Sequence, residues 1–169
     1  MDNQSSVTMN DISMILTAVI EDAIFSGIAA LGFAMLFNVP RRALIYCVIA
    51  GAIGHAVRTF FIQQFDLSIV ASTLIGATTV GFLAKGFAYR LHIPSLVFGI
   101  SGAIPMVPGV FAFEAMRAMI ALPFATEETV LVLLSKIAVS ASTTGFILAA
   151  IALGIAMPNL LFLRRKPVV

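Results

Sequence analysis

Five apolar stretches, each about as long as a bilayer is thick, take up most of the chain between Ser13 and Leu153. They constrain the fold more than any motif does. A helix needs about 20 apolar residues to cross a ~30 Å hydrocarbon core, and the connections left between these stretches are too short for a soluble domain. Only 11% of the 169 residues are charged and 60% are hydrophobic, with a mean hydropathy of +1.08. A soluble domain carries about 25% charged residues. The runs are continuous rather than alternating, which points to helices and not to a barrel. The fold class expected is therefore an all-α integral membrane protein, read as one transmembrane domain over 1–169. Its spans lie near 13–39, 43–63, 67–89, 95–122 and 129–153. The first ten residues hold Asp2 and no Lys or Arg, so they lack the basic start of a cleavable signal peptide, and the first helix is expected to stay.

The fourth stretch resists becoming one continuous helix. Pro105 and Pro108 lack N–H donors, and their rings collide with the carbonyls of Ser101 and Ile104 four residues back. Each also pushes its predecessor toward extended geometry. With Gly99, Gly102 and Gly109 close by, residues 101–108 are expected to be unwound between two short helices. Irregular backbone at membrane depth is tolerated only when buried in protein or lining a wet cavity. Discontinuous helices of this kind are where transporters hold their substrates. The half-helix after Pro108 would turn its N-terminus, with free N–H groups, toward the bilayer middle, where a substrate carboxylate can be held. Gly109 leaves the approach open. Substrate-binding candidates are thus Ser101, Gly102, Pro105, Pro108, Gly109 and, farther along, Arg117.

Charge sorts the connections into two sets. Arg41 and Arg42, then Lys85 and Arg90, then Arg164, Arg165 and Lys166 fall on alternate ends, and none of those ends carries an acid. Asp2 and Asp11, then Asp66, then Glu127 and Glu128 fall on the others. By the positive-inside rule the N-terminus lies outside and the C-terminus in the cytoplasm, with the broken stretch crossing fully rather than re-entering. The net charge of +2 marks no nucleic-acid surface. Small residues recur four apart at Ala50/Gly54, Ala77/Gly81, Ala141/Gly145 and Ala150/Gly154, the spacing at which helices approach closely in lipid. An odd number of spans argues against an inverted repeat within this chain, so any pseudo-symmetric half must come from elsewhere.

Ionisable residues inside spans are functional candidates by default. Glu114 and Arg117, three apart, can pair on one face of the second half-helix. Glu114 is a proton-coupling candidate, and Asp22 is another if the first span begins earlier than Ser13. Arg58 and Lys136 read as snorkelling side chains, His55 as a packing residue and His92 as interfacial. Ser140, Ser142, Thr143 and Thr144 read chiefly as hydroxyls bonded to their own helix. The lone Cys47 reads as a buried, inert thiol. Two distant histidines and one cysteine give no metal-site spacing, no phosphate-cradling motif is present, and no serine has a base nearby. No cofactor and no enzyme activity are expected.

The run Ser101-Gly102-Ala103-Ile104-Pro105-Met106-Val107-Pro108-Gly109, in its apolar setting, resembles the P-G-x-x-P-x-V-P-G motif of the threonine/serine exporter family. It is similar to the smaller, C-terminal membrane half, which in many bacteria is a separate short protein. Ser101 stands where the family often has its first proline, so the segment before Gly102 has less reason to break. The resemblance implies a secondary transporter of the bacterial inner membrane. It would export small amino acids or carboxylates such as threonine, serine or succinate, coupled to the proton gradient, with a larger partner subunit. The rival readings are a non-transporting scaffold whose kink docks a partner, and a small-ion channel.

Overall fold

The computed structural model describes residues 9–161, with side chains from Ser13 onward. Asp2 and the basic trio Arg164, Arg165 and Lys166 lie outside the described residues. Six helices follow one another: α1 (Met9–Leu36), α2 (Arg41–Phe65), α3 (Ile69–Leu91), α4 (Ser95–Ala103), α5 (Gly109–Ala121) and α6 (Glu127–Leu161). Short 3-10 turns, Ile104–Met106 and Leu122–Phe124, close α4 and α5. Among the described residues there is no strand. The chain is an all-α membrane protein: α1, α2, α3 and α6 are long and apolar enough to cross a bilayer, and the bent pair α4/α5 makes up to five spans.

The first three connections share one device. Asn38, Asp66 and His92 each adopt a left-handed conformation just past a helix end, with φ of 55°, 49° and 55°. Asn and Asp visit this region more readily than other non-glycine residues, and it turns the chain sharply. The Val39 amide donates back to the Ala34 carbonyl and the His92 amide to Ala88, satisfying carbonyls that the helix ends leave free. Pro40 and Pro94 then open α2 and α4, where a missing N–H costs nothing, and the Ser68 hydroxyl caps α3 by accepting from the Ala71 amide. Such tight turns make α1, α2 and α3 antiparallel neighbours.

Small residues set the packing. Gly51 of α2 faces Gly102 of α4, and a Cβ added to Gly102 would stand 2.9 Å from the Ala50 Cβ. A Cβ on Gly154 of α6 would stand 2.6 Å from the Ala77 Cβ of α3. Three of the four small pairs therefore sit at helix crossings. The fourth does not: Ala141 is exposed, and a Cβ at Gly145 would meet nothing within 4 Å. Cys47 is fully buried, in a core cluster with Phe98 and Ala84, beside the edge-to-face rings of Tyr46, Phe87 and Phe98.

Two expectations need correcting. The break is shorter than residues 101–108. α4 stays helical through Ala103, where no proline interrupts it, and the Ile104 amide still donates to Ile100. Pro105 enters a 3-10 turn, whose Val107 amide takes up the Ile104 carbonyl that Pro108 cannot reach. Only Val107 is extended (ψ 130°), before Pro108 (ψ 60°) redirects the chain. The last helix, in turn, does not close at Gly154 but runs through Pro158 to Leu161. Pro158 deprives the Gly154 carbonyl of its helical donor, but this turn packs against Gly81 of α3, and Lys85 Nζ donates to the Pro158 carbonyl at 2.9 Å. Such tertiary contacts let membrane helices carry a proline.

Candidate functional site

α4 and the 3-10 turn are driven into the bundle by their small and apolar residues. Phe98, Ser101, Gly102, Ala103, Met106 and Pro108 are all buried. The methionine acts as a wedge. Its Cε would lie 2.8 Å from a Cβ on Gly54 of α2 and 3.3 Å from one on Gly76 of α3, so it fills the space these two glycines leave where α2 and α3 approach closely. The outer side of the break is open. Val107, Gly109 and Val110 are exposed, and a Cβ on Gly109 would meet nothing within 4 Å. The Gly109 amide turns back to the Val107 carbonyl at 2.8 Å, and the Ala112 amide closes the first turn of α5 onto Pro108. The intervening amides, Val110 and Phe111, belong to the first-turn donors that no helical carbonyl can reach. The helix dipole makes this end favourable for a negative group.

α5 packs chiefly on α6 through Ala115 and Ala118. Glu114 and Arg117 do not form the pair their spacing allows. Arg117 is exposed, and its guanidinium lies 6.0 Å from the centroid of the Phe113 ring. This direction follows from helix geometry, since long side chains lean toward the N-terminal turn. Gly109, Phe113 and Arg117, each four residues apart, therefore form one open stripe that leads from the break.

A second polar group lies on the other side of the break, inside the bundle. α1 begins at Met9, so Asp22 is thirteen residues in, roughly 20 Å along the helix. His55 occupies a comparable depth in α2. His55 Nδ1 and Asp22 Oδ2 are 2.8 Å apart, and the Thr59 hydroxyl donates to the same oxygen. Arg58 is close enough for its charge to act on Asp22. Among the described residues, His55 Nε2 and the Arg58 Nε are buried with no hydrogen-bond partner. The cluster touches the break: Gly54, beside His55, is the residue that admits Met106, and a Cβ on Gly76 would stand 3.1 Å from the Arg58 Cβ.

The structure thus gathers Ser101, Gly102, Pro105 and Pro108 around a wedge on α2 and α3, and joins Asp22 to α2 nearby. It leaves Gly109 and Arg117 on the open side, with Glu114 half-buried on α5. Sequence reading took His55 for packing and Arg58 for a snorkelling residue, and passed over Thr59. A signal was there: residues 55, 58 and 59 share one helix face at i, i+3 and i+4, opposite an acid in the preceding antiparallel span.

A family model described as Threonine/Serine exporter, ThrE matches residues 22–161, from the acid of this cluster to the end of α6. A protein of Haemophilus influenzae described only as uncharacterized is 38% identical over 159 residues, covering 94% of this chain and 52% of that protein. The chain therefore spans about half the length of this curated relative. No solved structure matches. With most of its helices inside the family match, the broken span included, this multi-pass membrane chain belongs to the threonine/serine exporter family.

Proposed function

We propose that the chain is the smaller membrane unit of a secondary exporter for small amino acids or carboxylates, of the threonine/serine or succinate type, driven by the proton gradient. The observation that carries this reading is the break itself. Its inner side is locked by Met106, while its outer side presents the free amides that open α5 beside Gly109, which has no side chain in the way. A substrate carboxylate would be held there by the Val110 and Phe111 amides. Arg117, leaning back over Phe113, would supply a planar charged fork at the far end of the stripe.

The same stripe, with exposed Val110, Met116 and Ile120 around it, is left uncovered by the described residues. In the working exporter it would face a larger membrane unit, in a second chain or in a longer polypeptide. The family relative of about twice the length agrees with that need. The unit would sit in the bacterial inner membrane with its N-terminus outside.

The test is the intracellular level of threonine, serine and small dicarboxylates in cells with and without the chain and the unit it works with. Export predicts accumulation of one of these solutes on removal. Replacing Pro105, Pro108 and Gly109 should then abolish flux while the assembled complex persists. Loss of assembly before loss of flux would make the break a docking kink, and conductance independent of any of these solutes would make the chain a channel.

A further inference from the structure

We infer that Asp22 and His55 form a two-residue proton relay, and that this pair couples export to the proton gradient. The inference rests on the exporter reading and names residues for its coupling step. The pair has two unlike ends. The Asp22 side chain is 33% exposed, whereas that of His55 is 11% exposed and its Nε2 is buried without a hydrogen-bond partner. Asp22 Oδ2 receives the Thr59 hydroxyl as well, and the relay takes this oxygen as a carboxylate acceptor. A carboxylate can face Nδ1 only if that nitrogen carries the hydrogen, which leaves Nε2 of the neutral ring as a bare base pointing into the protein.

The proton count then closes. A proton arriving at Nε2 makes the ring cationic. The Nδ1 proton passes over 2.8 Å to Asp22 Oδ2, the ring becomes neutral with its hydrogen on Nε2, and Asp22 becomes a neutral acid. Release of that proton at the exposed end of Asp22, followed by a half-turn of the imidazole that swings its N–H round to face Asp22 and its bare nitrogen inward, completes one transfer. The reverse sequence carries a proton inward. Each half-step changes the charge beside Gly54, whose glycine surface admits the Met106 wedge of the break. Proton movement and the conformation of the break therefore share one contact.

Other charged groups near the pair are few. On α1, Glu21 is adjacent and exposed; on α2, Arg58 sits one turn from His55 and opposes a second positive charge. The stretches of α3, α4 and the 3-10 turn that also pack here, Ile69 to Ala84 and Ser95 to Met106, contain no acid or base. Glu114 lies on α5, which packs on α6.

Two measurements test the relay separately from the exporter reading. The first is nitrogen-15 NMR of the histidine rings in the full chain in lipid nanodiscs. With only two histidines, the H92Q variant leaves a single ring to observe. The relay predicts a neutral Nδ1–H tautomer in the wild type, and loss of that tautomer preference in Asp22→Asn. A ring locked in the Nε2–H form, or a tautomer indifferent to Asp22, overturns the relay whether or not the protein transports. The second is transport in cells. Asp22→Asn and His55→Gln should each cut gradient-driven export about tenfold while leaving substrate-for-substrate exchange near wild type. Equal loss of both modes in a folded protein, or unchanged driven export, overturns the relay. So would the same selective loss in Glu114→Gln with both pair variants unaffected. A wild-type protein that moves none of the tested solutes removes the exporter reading, and the ring spectra still rule on the pair.

Discussion

α4 and α5 are cut from one apolar stretch, yet they meet different surroundings. α4 and its 3-10 turn are wrapped by α1, α2 and α3, with Phe98, Gly99, Ser101, Gly102, Ala103 and Met106 buried. α5 rests on α6 alone for most of its contact, and only Ala115 and Ala118 are buried among its thirteen residues. The two are bent by 56° across Val107 and Pro108. One half of the span is thus an anchor, fixed by glycine-to-glycine contact and a methionine wedge. The other half presents an open stripe. A break joining an anchored half to a presenting half can move one without unpacking the other, which a uniformly packed kink cannot do.

This contrast predicts effects that fall off across the break. Met106→Ala removes a fully buried side chain and should cost about 2–5 kcal/mol in unfolding assays, whereas Val107→Ala, one residue on and 47% exposed, should change little. Similar losses for both would erase the distinction. Gly102→Leu should push α4 off Ala50 at a cost of about 1–3 kcal/mol, while Gly109→Ala, entering open space, should stay within about 0.5 kcal/mol. Thermal unfolding in detergent compares the pair directly. On the presenting side the signature should be functional. Arg117→Ala should lower export about tenfold without moving the melting temperature, and Arg117→Lys should fail to restore it, since a point charge does not replace a planar fork. The smallest effect is expected for Phe113→Ala, where loss of a cation–π contact of about 0.5–1 kcal/mol should weaken apparent substrate affinity a few-fold.

Much of the fold was legible before any coordinates. Hydropathy gives the spans, and Pro105 with Pro108, three residues apart among glycines, gives the interruption, because two lost amide donors in one turn are harder to absorb than the single one at Pro158. The width of the break was not legible. Whether Ser101 to Ala103 stay helical depends on Ala50 and Gly51 standing across from Gly102, a tertiary contact. The continuation of α6 through Pro158 likewise depends on α3 and on Lys85. The Glu114–Arg117 spacing permits a pair, but the arginine is exposed and leans over the Phe113 ring instead. The Asp22–His55 contact joins residues 33 apart in sequence, so it emerges only when α1 and α2 are laid side by side.

The central claim is that the interruption at Val107 to Val110 opens onto water and substrate rather than acyl chains. Single cysteines at Val107, Gly109 and Val110, with Cys47 replaced by alanine and a Met106 cysteine as the buried control, test it most directly. The account predicts rapid modification at the three open positions by a charged, water-soluble thiol reagent, slowed by the exported solute, and none at residue 106. Labelling there by a lipid-soluble maleimide alone, with no response to any solute, would contradict it.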